Sequence, residues 1–267
     1  MIRTALTIAG SDSGGGAGIQ ADLKTFSALG AYGMSAITAL TAQNTLGVHA
    51  VHPVPVDFIK AQCDAVFSDI RVDAVKIGML ADANIIRAVA TALREWQPAC
   101  IVLDPVMISK NGHPLLAAEA VSALREELLP LATLITPNLP EAAALLGQTE
   151  ASSEQAMQEQ GKALLDLGCR AVLMKGGHLN GAESPDWLMT PEGVSAYRAE
   201  RVATKNTHGT GCTLSAALAA LYPKYQNWPD TILAAKTWLS GALQQADRLE
   251  IGHGIGPVHH FYQWWQA

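Results

Sequence analysis

Short, continuous apolar runs alternate along the chain with longer stretches whose apolar residues recur every three or four positions. Thr4–Ala9, Ser35–Leu40, Ala74–Ile77, Ile101–Asp104, Thr133–Thr136 and Ala171–Met174 are of the first kind. They lack the in–out alternation of a half-solvated sheet and so predict strands covered on both faces. Between them, Ile19–Leu29, Val56–Asp69, Ala83–Glu95, Ala117–Leu128 and Glu154–Leu167 predict amphipathic helices, with a short helix over Leu139–Leu146. Such an order predicts an α/β fold with a mainly parallel sheet and right-handed crossovers. After Met174 the pattern changes. Asp186–Met189 and Val194–Arg198 flank Pro191-Glu192-Gly193 and predict a short antiparallel hairpin. The remainder reads as helix over Thr213–Leu221 and Asp230–Gln245, followed by an aromatic tail, Phe261–Trp265. No linker or repeat interrupts the pattern, so residues 1–267 are expected to form a single domain.

Composition narrows the class. Hydrophobic residues make up 49% and charged residues 16% of the 267, which predicts a large core. The net charge of −6, without a basic tract, speaks against nucleic acid as a partner. Cys63, Cys100, Cys169 and Cys212 lie far apart and form no C-x-x-C pair, as expected in a reducing compartment without structural zinc. The first residues do not read as a signal peptide. No charge occurs between Thr25 and Val56, but Gly30, Gly33, Gly47 and Pro53 break that stretch. It reads as helix end, buried strand and loop rather than a membrane span. A cytoplasmic protein without membrane contact is expected.

Ligands of open α/β sheets bind beyond the carboxyl ends of the strands. Those positions here are Gly10 to Gly16, Gln43-Asn44, Gly78-Met79, Asp104-Pro105, Pro137-Asn138 and Lys175-Gly176-Gly177-His178, all polar or glycine-rich. The most informative loop is Asn206-Thr207-His208-Gly209-Thr210-Gly211-Cys212, which feeds an Ala/Leu-rich helix. A glycine loop at a helix N-terminus aims unpaired N–H groups and a positive dipole end at one point, which suits an anion. The same field would lower the pKa of Cys212. A Gly-rich turn beside a small buried cysteine explains the segment equally well. The loop at Gly14–Ile19 matches neither G-x-G-x-x-G nor a P-loop. His49/His52 and His259/His260 lack metal-ligand companions and read as ordinary surface or loop histidines.

Asp104 at a strand tip and Glu141 at a helix start suit Mg2+, which takes one or two protein carboxylates and several waters. A dipole-stabilised helix-end acid would account for Glu141 but not for Asn138 beside it. Lys175 before two glycines suits a phosphate chain, or simply reaches to solvent. The Gln43 amide, with two donors and an acceptor, suits a heteroaromatic nitrogen edge, or is a loop glutamine. Asp22, one turn beyond Gly18, faces the same strand ends or the surface.

Together these segments resemble a known family. Asn206 to Cys212 is similar to the anion-hole signature of ribokinase-like kinases, where the last position is normally Asp, and Pro137-Asn138-Leu139-Pro140-Glu141 to their metal-organising motif. Three further segments set the branch: Ala9-Gly10-Ser11-Asp12 through Gly18-Ile19-Gln20-Ala21-Asp22-Leu23-Lys24, Thr41-Ala42-Gln43-Asn44-Thr45, and Lys76-Ile77-Gly78-Met79-Leu80. With Lys175-Gly176-Gly177-His178, they resemble the bacterial hydroxymethylpyrimidine/phosphomethylpyrimidine kinases of thiamine biosynthesis over essentially the whole chain. Ser13-Gly14 departs from the Pro-Ser usual there.

The resemblance implies a three-layer ribokinase-like fold without the sugar-kinase lid, since only Gly10–Ala17 separates the first strand from its helix. It implies ATP and Mg2+ as cofactors, phosphorylation of a small pyrimidine and then of its monophosphate, and a homodimer. Gln43, Asp22, Gly10, Met79 and Val106 would form the pyrimidine pocket. Lys175, Thr207 and the Gly209-Thr210-Gly211-Cys212 backbone would hold ATP phosphates. Asp104, Asn138 and Glu141 would organise the metal, in part through water, and Cys212 would stand at the general-base position. A pyridoxal/pyridoxine kinase is the nearest alternative, and a non-catalytic pyrimidine- or nucleotide-binding sensor one of a different class.

Overall fold

The computed structural model describes residues 1–107 and 118–265. The chain runs β1 (Arg3–Ala9), α1 (Gly18–Ala28), β2 (Ala31–Ile37), β3 (Ala39–Asn44), β4 (Gly47–Pro53), α2 (Val56–Phe67), β5 (Ala74–Ile77), α3 (Ala83–Trp96) and β6 (Ile101–Leu103). It continues with α4 (Ala118–Ala123), β7 (Leu134–Ile135), α5 (Leu139–Leu146), α6 (Glu154–Leu165), β8 (Val172–Lys175), β9 (Glu183–Thr190), β10 (Gly193–Glu200), α7 (Thr210–Tyr225) and α8 (Trp228–Gln244). Eight strands form the main sheet in the order β10-β9-β8-β7-β6-β5-β1-β2. Pairings from β2 to β8 are parallel, and β9 and β10 add antiparallel.

The continuous apolar strands are explained by the layers above and below them. Ile8, Val75, Ile77, Leu103 and Ile135 pack with Ile59, Ile86, Val89, Leu139 and Leu164 from α2, α3, α5 and α6. On the other face Ala5, Val102, Leu134 and Leu173 meet Phe26, Leu218 and Ile232 from α1, α7 and α8. Fully burying one such large side chain contributes roughly 1.5–3 kcal/mol. Local signals fix the helix ends: Asp82 accepts from the N–H groups of Asn84 and Ile85, and Gly147 closes α5 at φ +66°.

Three expectations need correction. The segment around Gln43 is not a loop after one strand; β3 and β4 pair as a separate antiparallel hairpin. Its residues alternate between half-buried Thr41 and Gln43 and exposed Leu40, Ala42 and Asn44. Because the inward positions are themselves polar, this alternation leaves no hydrophobic signature. The helix expected over Ala117–Leu128 begins beside Ala117, which lies outside the described residues, and widens into a π-turn over Leu124–Leu128 before Pro130. The aromatic tail packs as turns. His259 and His260 are buried core residues, with His260 Nε2 3.0 Å from Thr213 Oγ1, whereas His49 and His52 are exposed. Among the described residues, no helix is long and apolar enough to cross a membrane.

Candidate active site

A cavity of about 610 Å3 opens at the carboxyl ends of the parallel strands. Gly10, Gln43, Met79 and Val106 line one end of it, while Asp104, Asn138, Glu141, Lys175 and Thr207 to Cys212 line its middle. Of the residues singled out in the sequence, Asp22 alone does not reach this surface. It lies fully buried beneath it, 2.9 Å from Lys76 Nζ and 2.6 Å from Thr7 Oγ1.

The two glycine loops differ in what their N–H groups do. In the first, the Asp12 carboxylate accepts from the N–H groups of Gly14 (2.8 Å), Gly16 (3.1 Å) and Ala17 (2.8 Å). Burial works against the charge of Asp12, but His208 and the N–H groups of Ala17 and Gly14 hold its carboxyl below the usual range. That loop is closed around its own anion. The second loop has none: Gly209 precedes α7 at φ +76° without a side-chain cap, and Gly209 to Cys212 line the cavity, with the Thr210 N–H turned back to the Thr207 carbonyl at 3.3 Å. A Cβ on Gly209 would stand 1.8 Å from the Gly16 carbonyl oxygen, so only glycine lets the two loops touch. His208 completes the junction, its Nε2 2.8 Å from Asp12 Oδ2 and 3.4 Å from Gln43 Nε2.

Below Gly211 lies the charged floor. A Cβ there would meet Lys175 Nζ at 3.3 Å and Asp104 Oδ2 at 3.6 Å. Lys175, at the end of β8, places Nζ 2.8 Å from Asp104 Oδ1 and 3.8 Å from Glu141 Oε2. Burial opposes its charge, but both carboxylates hold the ammonium above its ordinary range. Asn138 and Glu141 form a reciprocal cap on α5, with Glu141 N–H to Asn138 Oδ1 at 2.9 Å and Asn138 N–H to Glu141 Oε2 at 2.8 Å. The dipole account of Glu141 is therefore correct as far as it goes. Burial and the neighbouring Asp104 nevertheless push its carboxyl up to about 7, against the pull of Lys175.

This has a stability consequence. A carboxyl whose folded pKa lies above its unfolded value favours folding below the unfolded value and loses that contribution as pH rises through the folded one. Glu141→Gln keeps a cap-competent amide and removes the buried charge. At about pH 8 its melting temperature is expected to exceed the parent's by about 2–4 °C for each 1 kcal/mol relieved, the difference vanishing near about pH 5. A differential scan at both pH values, without ligand, checks this. A lower melting temperature at the higher pH would count against it.

Cys212 departs from expectation. Its thiol is pushed up to about 11 by burial, with Asp22 and Asp104 adding to the rise, and Lys76 and the Gly18 N–H only partly offsetting it. The helix field does not outweigh desolvation. Cys212 is nonetheless half-buried, whereas Cys63, Cys100 and Cys169 are buried.

Several site residues escaped the sequence reading. Asp12 and His208 were quoted only as members of loops, and their pairing spans 196 positions. Lys76 carried a signal, as the one charge in the otherwise apolar strand Ala74-Val75-Lys76-Ile77. At the far end of the cavity Lys236 Nζ meets Asp186 Oδ2 at 2.5 Å, joining α8 to β9.

Solved structures of known proteins share this fold. A Bacillus subtilis pyridoxal kinase, solved as an ADP complex, superposes with a TM-score of 0.91 at 39% identity, covering all of both chains. A phosphomethylpyrimidine kinase from Clostridium difficile 630 gives 0.81 at 45% identity, over 90% of this chain and 99% of the other. Sheet, cavity and neighbours thus define a small-molecule kinase of the ribokinase-like class. The chain is 64% identical, over 98% of both lengths, to the hydroxymethylpyrimidine/phosphomethylpyrimidine kinase of Escherichia coli K12. It belongs to the phosphomethylpyrimidine kinase family, whose model matches residues 12–259.

Proposed function

We propose that the protein transfers the γ-phosphoryl of ATP to the primary alcohol of 4-amino-5-hydroxymethyl-2-methylpyrimidine, and then a second phosphoryl to the monophosphate, in thiamine biosynthesis. The observation that carries this reading is that one cavity is lined by Gln43, by Lys175 and by the α7 N-terminus, which has no side-chain cap. Family membership and the close relatives supply the substrate class.

Phosphoryl transfer passes through a loose transition state, so positioning and charge neutralisation dominate. Lys175 and the N–H groups from Gly209 to Cys212, with Thr207 beside them, lie where they would hold the phosphates. The nucleoside is left the end around Lys236 and Leu239. Asp104 and Glu141 with Asn138 suit Mg2+ bound largely through water, since the raised Glu141 carboxyl is eased by a nearby cation. When bound, that ion would neutralise phosphate charge. Gln43 and Met79 line the opposite end, with Gly10 bare because a Cβ there would meet Met79 Cε at 2.5 Å. Asp22 supports this floor from below through Lys76. Cys212 lies between the two ends and serves as base for the alcohol.

We also read residues 1–267 as one cytoplasmic domain that forms a homodimer. A main sheet running without a break through eight strands and unpaired cysteines support the first two parts. Exposed Leu40, Leu46, Val51 and Phe58 on and beside the hairpin support the third.

Initial rates of ATP consumption with the hydroxymethylpyrimidine, its monophosphate, pyridoxal and ribose test the function. The first two are expected to turn over efficiently, pyridoxal weakly and ribose not at all. Turnover of pyridoxal alone would make this a vitamin B6 kinase, and no turnover with any acceptor would favour a binding protein. In the same assay Gln43→Ala should raise the pyrimidine KM about tenfold, as for loss of one or two hydrogen bonds, with the ATP KM little changed. A change confined to ATP would remove Gln43 from the acceptor site.

A further inference from the structure

Lys76 and Asp22 form a fully buried ion pair, Nζ to Oδ2 at 2.9 Å, to which the proposed phosphoryl transfer gives no part. Both side chains are 0% exposed, and the bond joins β5 to α1 directly under the cavity floor. The ammonium is confined: a Cβ on Gly78 would lie 2.7 Å from Nζ, so the residue two positions on must be glycine for Lys76 to turn into this space. Asp22 uses Oδ2 for both Lys76 and Thr7, and its buried Oδ1 has no partner. A buried ion pair with an unsatisfied acceptor is a poor stabilising device, since desolvation offsets the attraction. Its position invites another role. Lys76 lines the cavity together with Cys212, and the two are coupled by charge.

We propose that the Lys76–Asp22 pair controls the Cys212 thiol: Lys76 is the cation against which the thiolate forms, and Asp22 holds that cation in reserve. The proposal rests on the reading of Cys212 as base and deepens it. Both side chains are fully buried and held by each other, so both act as positioning residues.

The charged groups facing Cys212 come from four elements. Lys76 on β5 favours the thiolate, while Asp22 on α1 and Asp104 after β6 oppose it. Lys175 at the end of β8 also senses Cys212, but it is engaged by Asp104 and Glu141. Lys76 is therefore the cation whose ion-pair partner among the described residues, Asp22, can be removed without touching the phosphate-binding floor. Burial opposes its charge, yet Asp22 raises its pKa above the ordinary range, so Lys76 stays charged at all working pH values. It acts as a fixed charge, not as a proton carrier.

The test uses the alkylation rate of Cys212 by iodoacetamide in the full-length protein, where the thiolate displaces iodide. The other three cysteines are buried, so the modified residue is identified by peptide mass. Lys76→Met removes the cation and should slow alkylation about tenfold or more at about pH 8, since a unit of pKa is a tenfold change in thiolate. Asp22→Asn removes the competing carboxylate, leaves the buried ammonium to the thiolate, and should speed it several-fold. A general loosening of the structure would speed both. Shifts in opposite directions support the proposal; unchanged rates, or changes of one sign in both variants, overturn it. If Lys76→Met does not fold, Asp22→Asn decides when it speeds alkylation of Cys212 but not of the buried Cys63, Cys100 and Cys169, which loosening would also expose; equal speeding of all four, or none, overturns the proposal. The alcohol-transfer rate of Cys212→Ala separates the two readings. An undiminished rate would remove Cys212 as base and leave the alkylation result standing, whereas unchanged alkylation would remove the electrostatic control and leave the base.

Discussion

Replacing Cys212 with alanine is expected to slow the first phosphoryl transfer by about 10²–10⁴-fold, the usual range for a general base, and the second by no more than a few-fold. The asymmetry follows from the acceptors. An alcohol must lose its proton as the new O–P bond forms, whereas a phosphate monoester already presents an anionic oxygen at neutral pH. Single-turnover rates with each acceptor measure both steps. The parent protein should show the companion effect. With the thiol pushed up to about 11 by burial, the thiolate fraction grows across the neutral and alkaline range. The first transfer should therefore rise with pH, while the second stays flat over the same interval. Equal losses in the two steps, or parallel pH profiles, would show that Cys212 shapes the cavity without taking a proton.

Gly209→Ala is expected to be worse for the enzyme than any loss of base, because it strikes both transfers. At φ +76° an alanine is strained by roughly 1–2 kcal/mol, and its Cβ would stand 1.8 Å from the carbonyl oxygen of Gly16. Backbone faces backbone there, so no side-chain rotation relieves the clash. The anion loop must move away from the first glycine loop, taking the α7 N–H groups off their aim. Removal of one well-aimed donor typically costs about 10²–10³ in kcat, and this variant displaces several. Both acceptors should lose at least that much, with the pyrimidine KM changing less than kcat and the melting temperature falling. Near-parental kcat for the two steps would mean that the α7 terminus is not where the transferring phosphoryl sits.

How far the sequence carried can be judged from particular residues. Ala74–Ile77 and Leu139–Leu146 were legible to the residue, because apolar continuity and a Pro-rich, Asn-capped start are local signals. Gln43 was recognised as important while its strand was not, since a hairpin with polar residues on its inner face carries no hydrophobic period. The first glycine loop looked like part of the ligand site. Its N–H groups are instead spent on Asp12, an acid already visible within the loop but whose direction was not. Asp22 was placed at the acceptor by resemblance, yet it lies one layer deeper, bonded to a lysine 54 positions away. For Cys212 the helix N-terminus was a sound local argument for a low pKa. It lost to desolvation, which depends on everything packed around the sulfur and not on its own helix.

The sequence alone therefore determined most of the alternation of strands and helices, the family, and which strand ends border the cavity. These depend on periodicity, capping and short motifs, all of which act within a few residues. Only the tertiary structure decided which charges face one another. Asp12 with His208, Lys76 with Asp22, and Lys175 with Asp104 and Glu141 are each brought together by sheet order. Electrostatic energy depends on distance and burial through space, and neither is written in the spacing of residues along the chain.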